Sequence, residues 1–366
     1  MIDMFTDKVL KKEEQAAIKL RALYSGYGYQ PFKMSKFEEY DLYVRNKDFL
    51  VSDRVITFND TDGRLLALKP DVTLSIIKNT KGERFDKHKV YYSENVYRIS
   101  GSTGQFKEIM QTGLECIGDI DMLDVFEVVS LAAESLSLVS DEYVLDISHM
   151  GIVTAFLKEA AAGREFDRKI TSLIAEKNTH ELLSLCEEYK IAENTAGKLA
   201  ALSCMYGGRA EVLSKLKPLC TDAASSAALS ELSALDALLS ASELSKNVRF
   251  DFSVVNNMKY YNGIVFKGFI AGICEGALSG GEYDNLLNSM NLNARAIGFA
   301  LYLDFLSELY YTPNEYDVDV LLLYDESASY EAAAAKKREL VLAGKSVWSA
   351  SIPPEKIRYR EIVKLK

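Results

Sequence analysis

The strand-like segments of this chain are split by a long stretch that contains almost none. From about residue 155 to 245 the sequence is rich in Ala, Leu, Ser, Glu and Lys, and apolar residues recur at helical spacing (Leu182, Leu183, Cys186, Tyr189; Leu229, Leu232, Leu235, Leu238). Alternation then returns abruptly at Val248, Phe250, Phe252 and Val254, with Arg249, Asp251 and Ser253 facing the other way. That order implies an α+β domain built on an antiparallel sheet, flanked by helices and interrupted by a helical insertion.

The segments before the insertion read as follows. Residues 8–24 form an amphipathic helix with Ala16, Leu20, Leu23, Tyr24 and Tyr27 on one stripe, ended by Gly26 and Gly28. Residues 54–58 and 64–68 form a hairpin around Asp62-Gly63. Pro70 and Asp71 stand where a helix to about Asn79 begins, Pro with a preset φ and Asp with a charge suited to the helix dipole. Strands at 89–97 and 106–117 flank a Gly/Ser/Thr loop, and a helix at 121–139 and a strand at 143–148 follow. After 254 come strands at 260–268 and 272–280, a helix from Tyr283 and a closing apolar segment at 296–311. The last fifty residues read β-α-β: 318–324, 328–342 and 346–350. The expected divisions are 1–154 and 247–314 for the core, 155–246 for the insertion and 315–366 for a truncated α/β tail.

Charge and cysteine content narrow the chemistry. With 53 acidic against 43 basic residues the net charge is −10, which disfavours a nucleic-acid partner that must be met with Lys and Arg. Five scattered cysteines without a CxxC pair, and three histidines apart from them, imply neither a disulfide framework nor a metal site. No apolar run spans a bilayer and the N-terminus lacks a signal-peptide core, so a cytoplasmic, membrane-free protein is expected.

Four stretches then stand in a telling order. Leu68-Lys69-Pro70-Asp71-Val72-Thr73 resembles LRPEGT of the histidyl-type class II aminoacyl-tRNA synthetases. Val90-Tyr91-Tyr92 to Tyr97-Arg98, with the return Gln111-Thr112-Gly113-Leu114-Glu115, is similar to their motif 2. Met258 to Phe266, with Tyr260-Tyr261 at its centre, is similar to RGLDYYTGTVFE, and Gly280-Gly281-Glu282-Tyr283-Asp284 to GGRYD. The segment Gly298 to Phe305 stands in place of motif 3. The resemblance implies a class II synthetase-like fold with a histidine pocket made of Asp71, Thr73, Gln111, Glu115, Tyr260 and Tyr261. Carboxylates suit the α-amino group and ring nitrogens, amide and hydroxyl groups orient the ring, and aromatic rings wall it.

The ATP half of such a site is depleted. Adenylate formation needs fixed cations against the charge that develops at phosphate. The motif 2 arginine is present as Arg98, but the Glu two residues on is Ser100 and the loop SGSTGQ has no Arg. Asn256 and Phe305 align with two further arginines, Glu282 with the Arg of GGRYD, and Ser35 with the motif 1 proline. Ser100, Asn256 and Phe305, with Arg98, are therefore read as vestigial ATP-site positions, with no catalytic residue, metal or cofactor. This pattern resembles the ATP phosphoribosyltransferase regulatory subunits (the HisZ family). It implies a non-catalytic chain that binds L-histidine, dimerises within a hetero-octamer with the short catalytic subunit, supports its activity and carries feedback control of the first step of histidine biosynthesis without tRNA. The alternatives are a divergent histidyl-tRNA synthetase, an interaction module with an inherited pocket, and a synthetase paralogue that adenylates another amino acid, which the same missing cations disfavour.

Plainer readings stand beside these. On a strand, Tyr260 and Tyr261 face opposite sides, so one lines a pocket while the other packs. Gln111 and Glu115, four apart, share a face. Asp71 is either a helix cap or a ligand contact, and Arg98 pairs with an internal acid or touches an anion. Gly280 and Gly281 form a pocket floor or mark a turn. Glu38-Glu39 and Glu187-Glu188 are solvated surface, and Cys116 is a core thiol.

Overall fold

The computed structural model describes residues 10–50, 55–80, 87–100, 103–255, 260–309, 315–325 and 327–365, the side chains of 48, 245 and 307–309 excepted. Packing divides the chain into two units, Ala16–Phe305 and Met1–Gln15 with Leu306–Lys366.

The larger unit is built on a nine-stranded sheet. Its strands hydrogen-bond in the order Gln30–Pro31, His88–Ile99, Phe106–Gly118, Arg295–Tyr302, Leu278–Glu282, Ile264–Ile270, Tyr143–His149, Val248–Asp251 and Tyr206–Gly207. The pairings are antiparallel except at Gln30–Pro31 with its neighbour and between Tyr143–His149 and Val248–Asp251. The sheet is thus antiparallel through the middle, as the alternation predicted. The expected hairpin is its longest pair: His88 stands opposite Ile117 and Ile99 opposite Phe106. Ser93 Oγ and Thr112 Oγ1 share a cross-strand hydrogen bond of 2.7 Å, and Ser100 N to Gln105 O closes the tip at 2.8 Å.

Helices cover the sheet where apolar stripes meet it. Helix Met122–Val139 starts on a reciprocal cap, in which Asp121 accepts from Leu123 N and Asp124 N while Asp124 accepts from Asp121 N. It buries Val125, Val128, Val129, Leu131, Ala132 and Leu136. Helix Lys12–Gly26 buries Ala16, Leu20 and Tyr24 as expected, but Tyr27 is exposed and Tyr29 is buried instead, because the chain leaves the helix at Gly26–Gly28. The Tyr24 hydroxyl donates to Ser135 Oγ, which itself donates to Leu131 O (2.9 and 2.5 Å). Tyr24→Phe, measured by denaturant unfolding, is expected to cost about 1 kcal/mol for this buried hydrogen bond.

The hairpin at Thr57–Asn59 and Leu65–Leu68 forms, and it gains a third strand, Phe37–Glu39, that the sequence did not announce. This changes one reading. Glu38 is not simple solvated surface: its carboxylate pairs with Lys78 Nζ at 2.7 Å and its side chain is 10 % exposed. Glu187 and Glu188 are exposed, and Cys116 is fully buried.

The stretch after 160 is helical, with Arg164–Ala175, Thr179–Glu188, Glu193–Ser203, Arg209–Leu216 and Ala223–Ser240. Phe166, Ile170, Leu182, Leu199, Leu232 and Leu235 form their inner faces. His149 joins it to the sheet: Nε2 lies 3.0 Å from Glu231 Oε2, and Nδ1 accepts from Gly151 N. The expected strand 248–254 stops at Asp251, whose carboxylate turns back to accept Ser253 N.

In the smaller unit three parallel strands run in the order Val347–Ala350, Val318–Tyr324, Tyr359–Leu365, with helix Tyr330–Leu342 between the first two in sequence. The third strand was not expected, because Tyr359-Arg360-Glu361 is polar, as an edge strand tolerates. Among the described residues no helix is long and apolar enough to cross a membrane.

Candidate functional site

Two neighbouring strands lay the floor of a cavity by register alone. On one face of Phe106–Gly118 stand Gln111, Gly113 and Glu115. Directly opposite in Arg295–Tyr302 are Tyr302, Ala300 and Gly298, and Ser279 pairs with Ala300 from the next strand. Asp71, Val72 and Thr73 come from the start of helix Thr73–Asn79, Tyr92 and Arg98 from the hairpin, and Tyr260, Tyr261 and Tyr283 from loops. Together they enclose about 300 Å³. All six residues expected to form the pocket line it, and so does Arg98.

Glu115 is the centre. Its side chain is buried, and each carboxylate oxygen accepts one hydroxyl: Thr73 Oγ1 at 2.8 Å and Tyr283 OH at 2.6 Å. Burial pushes its carboxyl up to about 8, against the lowering effect of the two hydroxyls. Gly298 makes room for it, since a Cβ there would lie 1.7 Å from Glu115 Oε2 and 2.5 Å from Leu114 O. Gln111 is equally buried, and its Nε2 has no hydrogen-bond partner among the described residues. A buried amide left unpaired costs free energy unless something fills the cavity beside it.

Asp71 fits both of its readings. Its carboxylate accepts from Leu74 N at 3.1 Å at the helix start, and it also lines the cavity. Burial raises its carboxyl, partly offset by Leu74 N–H and by the charge of Arg98. Arg98 donates from Nε to Pro70 O at 3.0 Å and is the one cation among the described lining residues.

Three expectations are corrected. Tyr260 and Tyr261 do not alternate on a strand: the strand begins at Ile264, and both rings, 4.5 Å apart, line the cavity. The preceding turn is held off the ladder by Asn262, which donates to Asp284 Oδ2 and accepts from Asp284 N. Gly280 and Gly281 do not mark a turn. They lie within strand Leu278–Glu282, Gly281 at φ +155, where a Cβ would meet Ile264 O at 2.7 Å. Glu282 does not face the cavity. Buried, it accepts Ile264 N at 2.7 Å and pairs with Arg295 at 2.6 Å, so it braces the strand that follows the tyrosines.

Of the positions read as vestigial, Arg98 lines the cavity, while Ser100 sits at the hairpin tip and half-buried Phe305 in helix Asp304–Leu309, neither against it. Asn256 lies outside the described residues. Tyr283, Gly298 and Tyr302 went unassigned as site residues in the sequence. All three lie inside the motif-like stretches, but the face shared by Gln111 and Glu115 could not point to partners across the ladder.

Fold and cavity define a histidyl-tRNA synthetase-like protein, and the histidyl-tRNA synthetase family profile matches residues 3–306. An ATP phosphoribosyltransferase regulatory subunit of Caldanaerobacter subterraneus subsp. tengcongensis is 30% identical over 288 residues, 77% of this chain and 74% of that protein. The chain belongs to the family of ATP phosphoribosyltransferase regulatory subunits, a branch of the histidyl-tRNA synthetase-like proteins. Two solved structures share the fold. The ATP phosphoribosyltransferase regulatory subunit/histidyl-tRNA synthetase from Bacillus halodurans superposes with a TM-score of 0.82 at 24% identity, over 96% of this chain and 93% of that one. A chain of the ATP phosphoribosyl transferase (HisG:HisZ) complex from Thermotoga maritima gives 0.63 at 21% identity, over 79% and 97%.

Proposed function

We propose that the cavity binds L-histidine and that the chain regulates, without catalysing a reaction itself, the catalytic subunit of an ATP phosphoribosyltransferase to which it binds. Asp71 and Glu115 take the ligand's nitrogens, Gln111 and Thr73 orient it, and Tyr260 and Tyr261 wall the ring. The observation that carries this reading is the unpaired Gln111 amide beside the buried Glu115 carboxylate and the half-buried Asp71 in one cavity. Membership of the regulatory subunit family supports the partner, and assembly as a dimer within a hetero-octamer, which the resemblance implies, is part of the same proposal. Histidine then favours one state of the assembly by its difference in affinity between states. The division into a core at 1–154 and 247–314, an insertion at 155–246 and a tail from 315 belongs to the same proposal.

Titration calorimetry of the chain with L-histidine, alone and with the catalytic subunit, tests it; absence of heat in both removes the sensor. A divergent synthetase is the second reading, favoured by Arg98 at the cavity wall. Histidine-dependent ATP–pyrophosphate exchange by the purified chain decides for it, and no exchange is expected. Gln111→Ala is expected to weaken L-histidine binding about tenfold while leaving unfolding stability unchanged or higher, because the amide it removes has no internal partner.

A further inference from the structure

The cavity is short of positive charge. Two carboxylates, Asp71 and Glu115, line it with one cation among the described lining residues, Arg98, whose Nε is taken by Pro70 O and whose charge acts on Asp71. Glu115 has its two hydroxyl donors and no counter-charge. The titratable groups that face it are Asp71 at the helix start, Tyr92 from the hairpin, Tyr260 and Tyr261 from the loop, Tyr283, and Tyr302 from the neighbouring strand. Burial holds Tyr92, Tyr260, Tyr261 and Tyr283 in their neutral hydroxyl form, so they add no charge to the cavity. A carboxylate this deeply placed is neutralised by a proton or by a partner. The cavity of about 300 Å³ leaves room for a polar group, and the unpaired Gln111 amide belongs to its lining.

Resting on the reading that the cavity binds histidine, we infer that the empty cavity keeps a proton on Glu115 and that the ligand replaces it by presenting a cationic nitrogen, so that occupancy and ionisation of Glu115 change together. Burial, which pushes Glu115 up to about 8 and raises Asp71, acts in the same sense. If the ligand's α-ammonium docks there, the carboxyl proton leaves to solvent. If the imidazole docks there, the proton passes to the ring nitrogen, which becomes imidazolium. In both cases a nitrogen-bound hydrogen is donated to an ionised Glu115, and the two hydroxyls stay on its oxygens.

The full chain labelled with carbon-13 at the glutamate side-chain carboxyl tests this by NMR, with the Glu115 signal identified by its loss in Glu115→Gln. At pH 7 without ligand the signal is expected in its protonated position, titrating near pH 8. Saturating L-histidine at pH 7 is expected to move it to the carboxylate position. Calorimetry in phosphate and in Tris then locates the proton. Release of about one proton per site places the α-ammonium at Glu115; no release, with nitrogen-15 shifts of an imidazolium, places the ring there. Glu115 fixed in one state while L-histidine binds overturns the inference and leaves the histidine reading intact. No binding of L-histidine at all overturns both. If Glu115→Gln does not fold, Tyr283→Phe serves for identification: it removes one donor to the ionised form and moves one glutamate titration upward.

Discussion

Glu115→Gln is expected to lower L-histidine affinity about a hundredfold or more at pH 8, as truncating one side of a buried charged contact does. The substitution keeps the shape of the side chain: one of the Thr73 and Tyr283 hydroxyls keeps its acceptor oxygen and the other turns to accept from the new amide NH2, so the loss registers in binding by calorimetry rather than in folding. It also has a pH signature. The Glu115 carboxyl lies at about 8 in the folded chain against an ordinary 4.5. A carboxyl raised on folding contributes stability that is fully present below 4.5 and is lost as pH climbs through 8, because the folded state binds the proton more tightly than the unfolded one. Denaturant midpoints of the ligand-free chain are therefore expected to fall between pH 5 and 8 more steeply than those of Glu115→Gln, which cannot ionise. Equal slopes would mean that Glu115 carries its charge at neutral pH without cost.

Gly298→Ala is the second large effect. The added methyl would lie 1.7 Å from Glu115 Oε2, 2.5 Å from its Cδ and 2.5 Å from the Leu114 carbonyl oxygen. The Glu115 carboxylate is the end of a side chain, but it is buried and pinned on both oxygens, and Leu114 O belongs to a ladder that does not give way. Overpacking of this kind costs about 3 kcal/mol, read as a lower denaturant midpoint with unchanged m. What folded protein remains is expected to have lost L-histidine binding, since Glu115 must leave the Thr73 and Tyr283 hydroxyls to admit the methyl. Full affinity in Gly298→Ala would mean that the ligand does not use Glu115.

The division between what a sequence states and what a fold adds is clear in particular residues. Period-2 alternation and the turn residues between 99 and 106 were enough to place the motif 2 hairpin, and with it Gln111 and Glu115 on one face, because alternation is a property of a single strand. Helical spacing marked the helices between Arg164 and Ser240 for the same reason. Asp71 was legible from a helix start, a local feature of a few residues, whereas Thr73 entered only through the resemblance. Tyr260 and Tyr261 are the opposite case: their strand starts four residues later than alternation predicts, because Asn262 and Asp284, twenty-two residues apart, hold the turn that brings both rings to the cavity.

Sequence alone determined which side chains each strand offers and on which face. Only the tertiary structure decided that Gly298 stands opposite Glu115, that Tyr283 donates to it, and that Glu282 is paired with Arg295 away from the cavity. Those facts depend on the register between strands far apart in the chain, and register is set by the packing of the whole sheet rather than by any pattern within one strand.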